Sequence, residues 1–137
     1  MGSYVRVTLA AEAYAVPVEH VLEAAELGQV RPVPGARPEL LGVSNLRGQI
    51  LPVVGLAALL GVQRAASPRR LLVAEARGLQ VGLAVDEVSG IGALPQLEEQ
   101  TSDAGPGFLL GAALSGGELI GVVDVPGVCD SLVGAAQ

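Results

Sequence analysis

Alternation of apolar and polar residues marks most of this chain as strand. In Tyr4–Leu9 every second residue is apolar, from Val5 to Leu9, which is the pattern of a half-buried strand. Similar short segments, bounded by glycine or polar turns, predict further strands at Ala13–Val16, Gln29–Val33, Gly42–Leu46, Gln49–Val54, Arg70–Ala76, Leu79–Val85, Val88–Leu94, Phe108–Leu114 and Glu118–Val125. Helical spacing predicts only short helices, at Val18–Ala25, Leu56–Leu60 and Pro126–Val133, and one helical turn at Pro38–Leu41. The pattern therefore predicts an all-β fold.

The two halves of the chain resemble each other. Leu41-Gly42 recurs 69 positions later as Leu110-Gly111, and Val53-Val54 recurs at the same offset. Further upstream, the pattern of Val16–Val21 recurs 67 positions later. Chance similarity is the alternative in a chain so rich in Val, Gly and Leu. The favoured interpretation is two small β units, each of about five strands, closed into barrels and packed together with a groove between them.

Charge and hydropathy exclude two classes of function. The net charge is −6, and the eight basic residues, all arginine, are scattered apart from Arg69-Arg70, which argues against nucleic-acid binding. The mean hydropathy of +0.53 raises the question of membrane insertion. However, the charge-free stretch from Gly48 to Gln63 has 16 residues, fewer than the roughly 20 that a spanning helix needs. We expect a protein that is not membrane-inserted and, without an export signal at its N-terminus, is cytoplasmic.

Candidate catalytic groups are sparse. Cys129 is the single cysteine, which excludes an internal disulfide and a cysteine-based metal site. A set of Ser44, His20 and Asp86 can be written down, but the sequence around Ser44, Gly42–Leu46, lacks the second glycine of a G-x-S-x-G motif. A small hydrolase or ligand-binding barrel using these residues is the remote alternative. We predict no catalytic, cofactor-binding or metal-binding residues.

The segment Gly42–Leu56 has the features of a binding surface. It places one charge, Arg47, at a glycine turn between two apolar runs, so the turn would present Asn45 and Arg47 to a partner. Two simpler interpretations remain open for these residues. Arg47 would be solvated or brace the hairpin internally, and Asn45 would bond the local backbone.

Three segments in order resemble the CheW-like domain family of chemotaxis coupling proteins: Tyr4–Leu9, Gly42–Val53 (GVSNLRGQILPV) and Val81–Val88 (VGLAVDEV). The resemblance implies one domain over residues 1–137, built as two intertwined five-stranded SH3-like β-barrels with a few short helices. We expect sub-barrels at 16–66 and 67–137, with the first strands, 4–15, exchanged between them.

The resemblance also implies the function. The family has no catalytic activity and needs no cofactor. Its members act as adaptors that couple chemoreceptors to a histidine kinase in bacterial chemotaxis, docking to the regulatory domain of a CheA-type kinase and to the cytoplasmic hairpin tip of the receptors. The partner-binding residues that it implies are Val21, Glu23, Asn45, Leu46, Arg47 and Gly48.

The chain departs from the family pattern in three places. Gly55 stands where an aspartate is usual, Pro17 replaces a polar residue, and the C-terminal helix is short. An alternative is therefore a CheW-like regulatory domain excised from a larger signalling or pilus-motility protein.

Overall fold

The described part of the protein consists mainly of strands. The computed structural model describes residues 2–62, 68–94, 98–99, 108–115 and 117–135. The strands are β1 (Gly2–Leu9), β2 (Glu12–Pro17), β3 (Val21–Glu26), β4 (Leu40–Leu46), β5 (Gln49–Gly55), β6 (Arg70–Ala76), β7 (Leu79–Val85), β8 (Glu87–Leu94), β9 (Glu98–Glu99), β10 (Leu109–Ser115) and β11 (Glu118–Val123). The helices are a 3-10 turn at Val18–His20, α1 (Leu56–Leu60) and α2 (Val125–Ala135).

These strands form two sheets. One has the order β8-β1-β2-β11-β10-β9, and the other has the order β3-β6-β7-β5-β4. The predicted all-β fold with two sheets and a few short helices is confirmed. Along the described residues, the strand ladders run from edge to edge without closing into complete rings.

The sheets exchange hairpins between the two halves of the chain. The β1–β2 hairpin joins the sheet of β8, β10 and β11, while the later β6–β7 hairpin joins the sheet of β3, β4 and β5. The two hairpins match in register, since Val7 faces Tyr14 in one and Ala74 faces Val81 in the other. Each member of the second pair follows its counterpart by the 67-residue offset seen in the sequence. The sub-barrel ranges 16–66 and 67–137 stay a prediction about folding units.

The hairpins β4–β5 and β10–β11 repeat each other in detail. The register shifts between Leu40 and Gly42 in one and between Leu109 and Gly111 in the other, at the 69-residue offset. Each hairpin pairs in parallel with the exchanged hairpin, β5 with β7 and β11 with β2. The internal similarity is therefore a similarity of structure.

Both sheets are buried on two faces. One cluster draws residues from both sheets and from the two helices, including Leu72, Val54 and Val123. A second cluster belongs to the five-stranded sheet alone: Leu51, Val53, Leu71, Val73 and Ala84. A third belongs to the six-stranded sheet: Tyr4, Ala13, Ala15, Ala113, Ile120 and Val122. Because neighbouring strand residues point to opposite faces, each sheet curls around its own core while packing against the other.

The helix predicted over Val18–Ala25 is wrong beyond its first turn. Only Val18–His20 is helical, and Val21–Glu26 is strand β3, paired antiparallel with β6. Pairing with a distant strand outweighs the weak local helix signal. The strand predicted at Gln29–Val33 reduces to one bridge between Arg31 and Val43, and Pro38–Glu39 form a turn before β4 rather than a helical turn.

Several predicted connections lie outside the described residues, including 63–67 and most of 95–107. None of the helices in the described ranges combines the length and the apolar content that spanning a bilayer requires.

The thiol of Cys129 is shielded on α2. The residue is 1% exposed and belongs to the core that both sheets share. Burial raises the pKa of this thiol, and only the thiolate reacts with alkylating agents. We expect iodoacetamide at pH 8 to label the folded protein at least about 100-fold more slowly than the urea-unfolded protein, because labelling requires the core to open. Mass spectrometry of timed samples measures this ratio. Equal labelling of the folded and the unfolded protein would contradict the buried position of Cys129.

The same shift gives a pH dependence of stability. The folded thiol keeps its proton above the ordinary thiol pKa of about 8.5, so its contribution to stability is complete below that pH and is lost as pH rises through the folded pKa.

Candidate functional site

The turn between β4 and β5 is a rigid two-residue loop. Arg47 and Gly48 both have positive φ, 51° and 87°, as a two-residue hairpin of the primed type requires. The Asn45 side-chain oxygen accepts a hydrogen bond from the Gly48 N–H at 2.8 Å. Asn45 therefore bonds the local backbone, as the simpler of its two interpretations predicts. This hydrogen bond fixes the conformation of the turn.

An ion pair links this turn to a strand on the other edge of the sheet. The Arg47 guanidinium, through Nη2, donates to Glu23 Oε2 on β3. The two side chains are 65% and 35% exposed, respectively. Because exposed ion pairs contribute little to stability, about 0–1 kcal/mol, this pair serves mainly to orient Arg47.

The six residues implied by the resemblance form what we call the hairpin surface: Val21, Glu23, Asn45, Leu46, Arg47 and Gly48. Direct contacts join Glu23 to Arg47 and Asn45 to Gly48. The remaining two residues, Val21 and Leu46, connect the surface to the hydrophobic cores. Val21 packs against the core that both sheets share, and Leu46 packs against the core of the five-stranded sheet. The role of these residues in partner binding stays a prediction.

Sequence reasoning missed one residue beside the hairpin surface. Ile50 lies opposite Asn45 in the β4–β5 register and is 60% exposed. Together with Gln29, Arg31, Val43 and Asn45 it lines a groove on this side of the hairpin. The hairpin register could have identified it, because residues equidistant from a two-residue turn face each other.

The remote hydrolase hypothesis finds no support in the contacts of its three residues. The Ser44 hydroxyl donates to the Gln29 carbonyl at 2.9 Å, while Asp86 Oδ2 accepts from the Ala10 N–H at 2.8 Å. The His20 ring lies 3.3 Å from the Glu75 carbonyl oxygen. Each group is held by a different part of the backbone, so the three do not form a nucleophile–base–acid relay.

Shifted pKa values occur on the six-stranded sheet. A hydrogen bond to Glu118, 2.8 Å long, raises the pKa of Arg6. Burial, followed by the nearby charge of Glu12, raises the pKa of Tyr14. Both groups keep their protons at neutral pH, so neither acts as a general base. In the described part of the chain, no three His, Cys, Asp or Glu side chains gather as a metal ion would require.

Comparison with known proteins places this geometry in a family. A family model described as the CheW-like domain matches residues 3–133. The chemotaxis protein CheW of Thermotoga maritima is 37% identical over 81 residues, which are 58% of this chain and 54% of that protein. The chemotaxis protein CheW of Rhizobium meliloti is 36% identical over 107 residues, 73% of this chain and 69% of that protein. The chain thus spans about half the length of the first relative and about two thirds of the second.

A solved structure supports the fold. The crystal structure of the scaffolding protein TtCheW from Thermoanaerobacter tengcongensis superposes with a TM-score of 0.80 at 24% identity, covering 89% of this chain and 88% of that one. The fold and the spacing of its hairpins agree with the family model, which extends over nearly the whole sequence. This chain belongs to the CheW-like domain family.

Proposed function

We propose that this protein is a non-catalytic cytoplasmic adaptor that couples chemoreceptors to a CheA-type histidine kinase in bacterial chemotaxis. Its partners are the regulatory domain of the kinase and the cytoplasmic hairpin tip of the receptors. Family membership supports this proposal, as do relatives named as chemotaxis proteins and a structural neighbour named as a scaffolding protein.

The observation that carries the proposal is the exposed ion pair at the tip of a rigid hairpin. A guanidinium has five N–H donors, and its contact with Glu23 involves Nη2. Arg47 can therefore hold Glu23 and a partner acceptor at the same time. Its position is set before binding by the two-residue turn, which reduces the entropy that a partner must remove.

Exposed apolar area on the same hairpin adds to this binding surface. Ile50 is 60% exposed and lies across the hairpin from Asn45. Well-packed apolar area and arginine are both typical of the centre of a protein–protein interface, and Ile50 supplies exposed apolar area on the hairpin whose turn holds Arg47. We assign the hairpin surface, with Ile50 at its border, to partner binding.

Calorimetric titration against each partner separately tests the proposal. We expect saturable binding of the kinase regulatory domain and of a receptor hairpin fragment, each with a dissociation constant of about 1–10 µM, in the range of transient signalling complexes. The unrelated acidic protein bovine serum albumin serves as the control. Absence of binding to both partners at about 100 µM would overturn the adaptor proposal.

A further inference from the structure

A groove of about 400 Å³ lies along the β4–β5 hairpin. Its lining comes from β4, from β5 and from the segment that bridges to β4: Gln29, Arg31, Val43, Ser44, Asn45 and Ile50. None of these lining residues is acidic. Because Asn45 also belongs to the hairpin surface, the groove is continuous with that surface.

Arg31 differs from most arginines in the described part of the chain, which pair with a carboxylate. The paired arginines are Arg6, Arg37, Arg47, Arg69 and Arg77. Arg31 is exposed, and among the described residues its guanidinium takes part in no ion pair or hydrogen bond. Its main chain is fixed by two hydrogen bonds to Val43, 2.8 and 2.9 Å long. The side chain therefore extends from a fixed point of the groove wall with its N–H donors available.

The side chain of Asn45 adds a second donor. Its Oδ1 accepts the hydrogen bond from the Gly48 N–H, so the Nδ2 hydrogens remain for a ligand. The Gln29 carbonyl, a neighbouring acceptor, already accepts from the Ser44 hydroxyl at 2.9 Å. The groove therefore favours an anion despite the net charge of −6, because salt screens charges more than about 8–10 Å away.

Apolar area borders these donors. Ile50 is exposed and Val43 is half-buried, and both line the groove. Apolar surroundings strengthen a charge-assisted hydrogen bond by excluding water. A carboxylate on a short aliphatic stem matches both features, because its methylene groups pack on Ile50 while its two oxygens accept from the planar guanidinium.

We propose that this groove receives a glutamate or aspartate side chain of the partner protein, with Arg31 as the cation that binds it. This inference rests on the proposed function, because the groove is continuous with the hairpin surface. It adds to that function the chemistry of the partner group and a further contact residue.

Titration of the full chain with the peptide acetyl-Leu-Glu-Leu-amide tests the proposal by NMR. We expect saturable shifts of the Val43 and Ile50 methyl signals and of the Asn45 side-chain amide signal, with a dissociation constant of about 1–10 mM. The peptide with glutamine in place of glutamate is expected to bind about tenfold more weakly. Equal binding of the two peptides, or shifts confined to residues outside the groove, would overturn the proposal.

Two variants that remove the same charge provide a second readout. Arg31→Gln is expected to weaken the glutamate peptide about tenfold. Its fold should persist, because the two hydrogen bonds to Val43 are main-chain bonds. Arg37→Gln, at an arginine that is 55% exposed and already paired with Glu39, is expected to leave the affinity unchanged. Equal weakening in both variants would indicate a general charge effect, and the proposal would fail.

Calorimetry with the protein partners separates this inference from the adaptor role. We expect Arg31→Gln to weaken binding of the kinase regulatory domain or of the receptor hairpin fragment about tenfold relative to Arg37→Gln. Unchanged affinity for both partners would overturn the groove proposal and leave the adaptor role standing. If neither partner binds the unaltered protein, the adaptor role fails, and the comparison of the two peptides still decides whether the groove selects a carboxylate.

Discussion

Replacement of Gly42 by alanine is expected to lower the free energy of unfolding by about 3 kcal/mol or more. Gly42 has a φ of 148°, and a Cβ built there would lie 2.1 Å from the Arg31 carbonyl oxygen and 2.6 Å from its carbonyl carbon. These atoms belong to the backbone bridge between Arg31 and Val43, whose two hydrogen bonds are 2.8 and 2.9 Å long. The alanine can be accommodated only if this bridge breaks or the bulge in β4 rearranges.

Gly35→Ala is the matched control for this substitution. Gly35 also has positive φ, 78°, but nothing lies within 4 Å of a Cβ built there. Its cost is therefore limited to the left-handed backbone conformation, about 1–2 kcal/mol. Urea denaturation of both variants measures the difference. If Gly42→Ala proved no more destabilising than Gly35→Ala, the close approach of residue 31 to β4 would be contradicted.

Arg47→Glu is expected to weaken binding of the kinase regulatory domain about 100-fold, which corresponds to about 2.7 kcal/mol. The substitution replaces an oriented guanidinium by a carboxylate next to Glu23, so the hairpin surface changes from mixed charge to like charge. The free energy of unfolding is expected to change by only about 0.5 kcal/mol, because the side chain is exposed. Calorimetry and urea denaturation of the same preparation separate the two effects.

The chain itself supplies a matched control, Arg77→Glu. Arg77 also precedes a glycine at a two-residue hairpin turn, has a positive φ of 55°, and lies 3.5 Å from a carboxylate oxygen of Asp130. Its side chain is 62% exposed, close to the 65% of Arg47. Loss of binding in both variants would indicate a general charge effect and would count against the hairpin surface.

A charge-swapped variant, Glu23→Arg with Arg47→Glu, distinguishes bracing from direct contact. It restores an ion pair across the same two positions but reverses the charge presented at the turn. We expect binding to remain lost in this variant, because Arg47 supplies donors to the partner. Recovery of binding would mean that the pair only braces the hairpin.

Local pairing in this fold was predictable from the sequence, whereas its long-range pairing was not. The Arg47-Gly48 and Arg77-Gly78 turns were placed correctly, because a glycine between two apolar runs specifies a short hairpin. Gly61, directly after the predicted helix Leu56–Leu60, adopts the left-handed conformation that is typical of a glycine ending a helix. The pairing of β3 with β6 could not be predicted, since the apolar residues of Val18–Ala25 also fit a helix and the partner strand lies more than 40 residues away.

The candidate site was likewise predictable only in its local features. The motif around Asn45 and Arg47 identified the turn, and the resemblance added Glu23. The ion pair between Glu23 and Arg47 depends on the curl of the five-stranded sheet, because Glu23 lies on the edge strand β3 and Arg47 lies in the turn that follows the opposite edge strand, β4.

The most direct test of the adaptor role is a bridging measurement. Receptor hairpin fragments are fixed on beads, the kinase regulatory domain is added, and its recovery is measured with and without this protein. We expect the kinase domain to be recovered only when the unaltered protein or Arg77→Glu is present, and not with Arg47→Glu. Equal recovery with Arg47→Glu, or no recovery with the unaltered protein, would contradict the adaptor role of the hairpin surface.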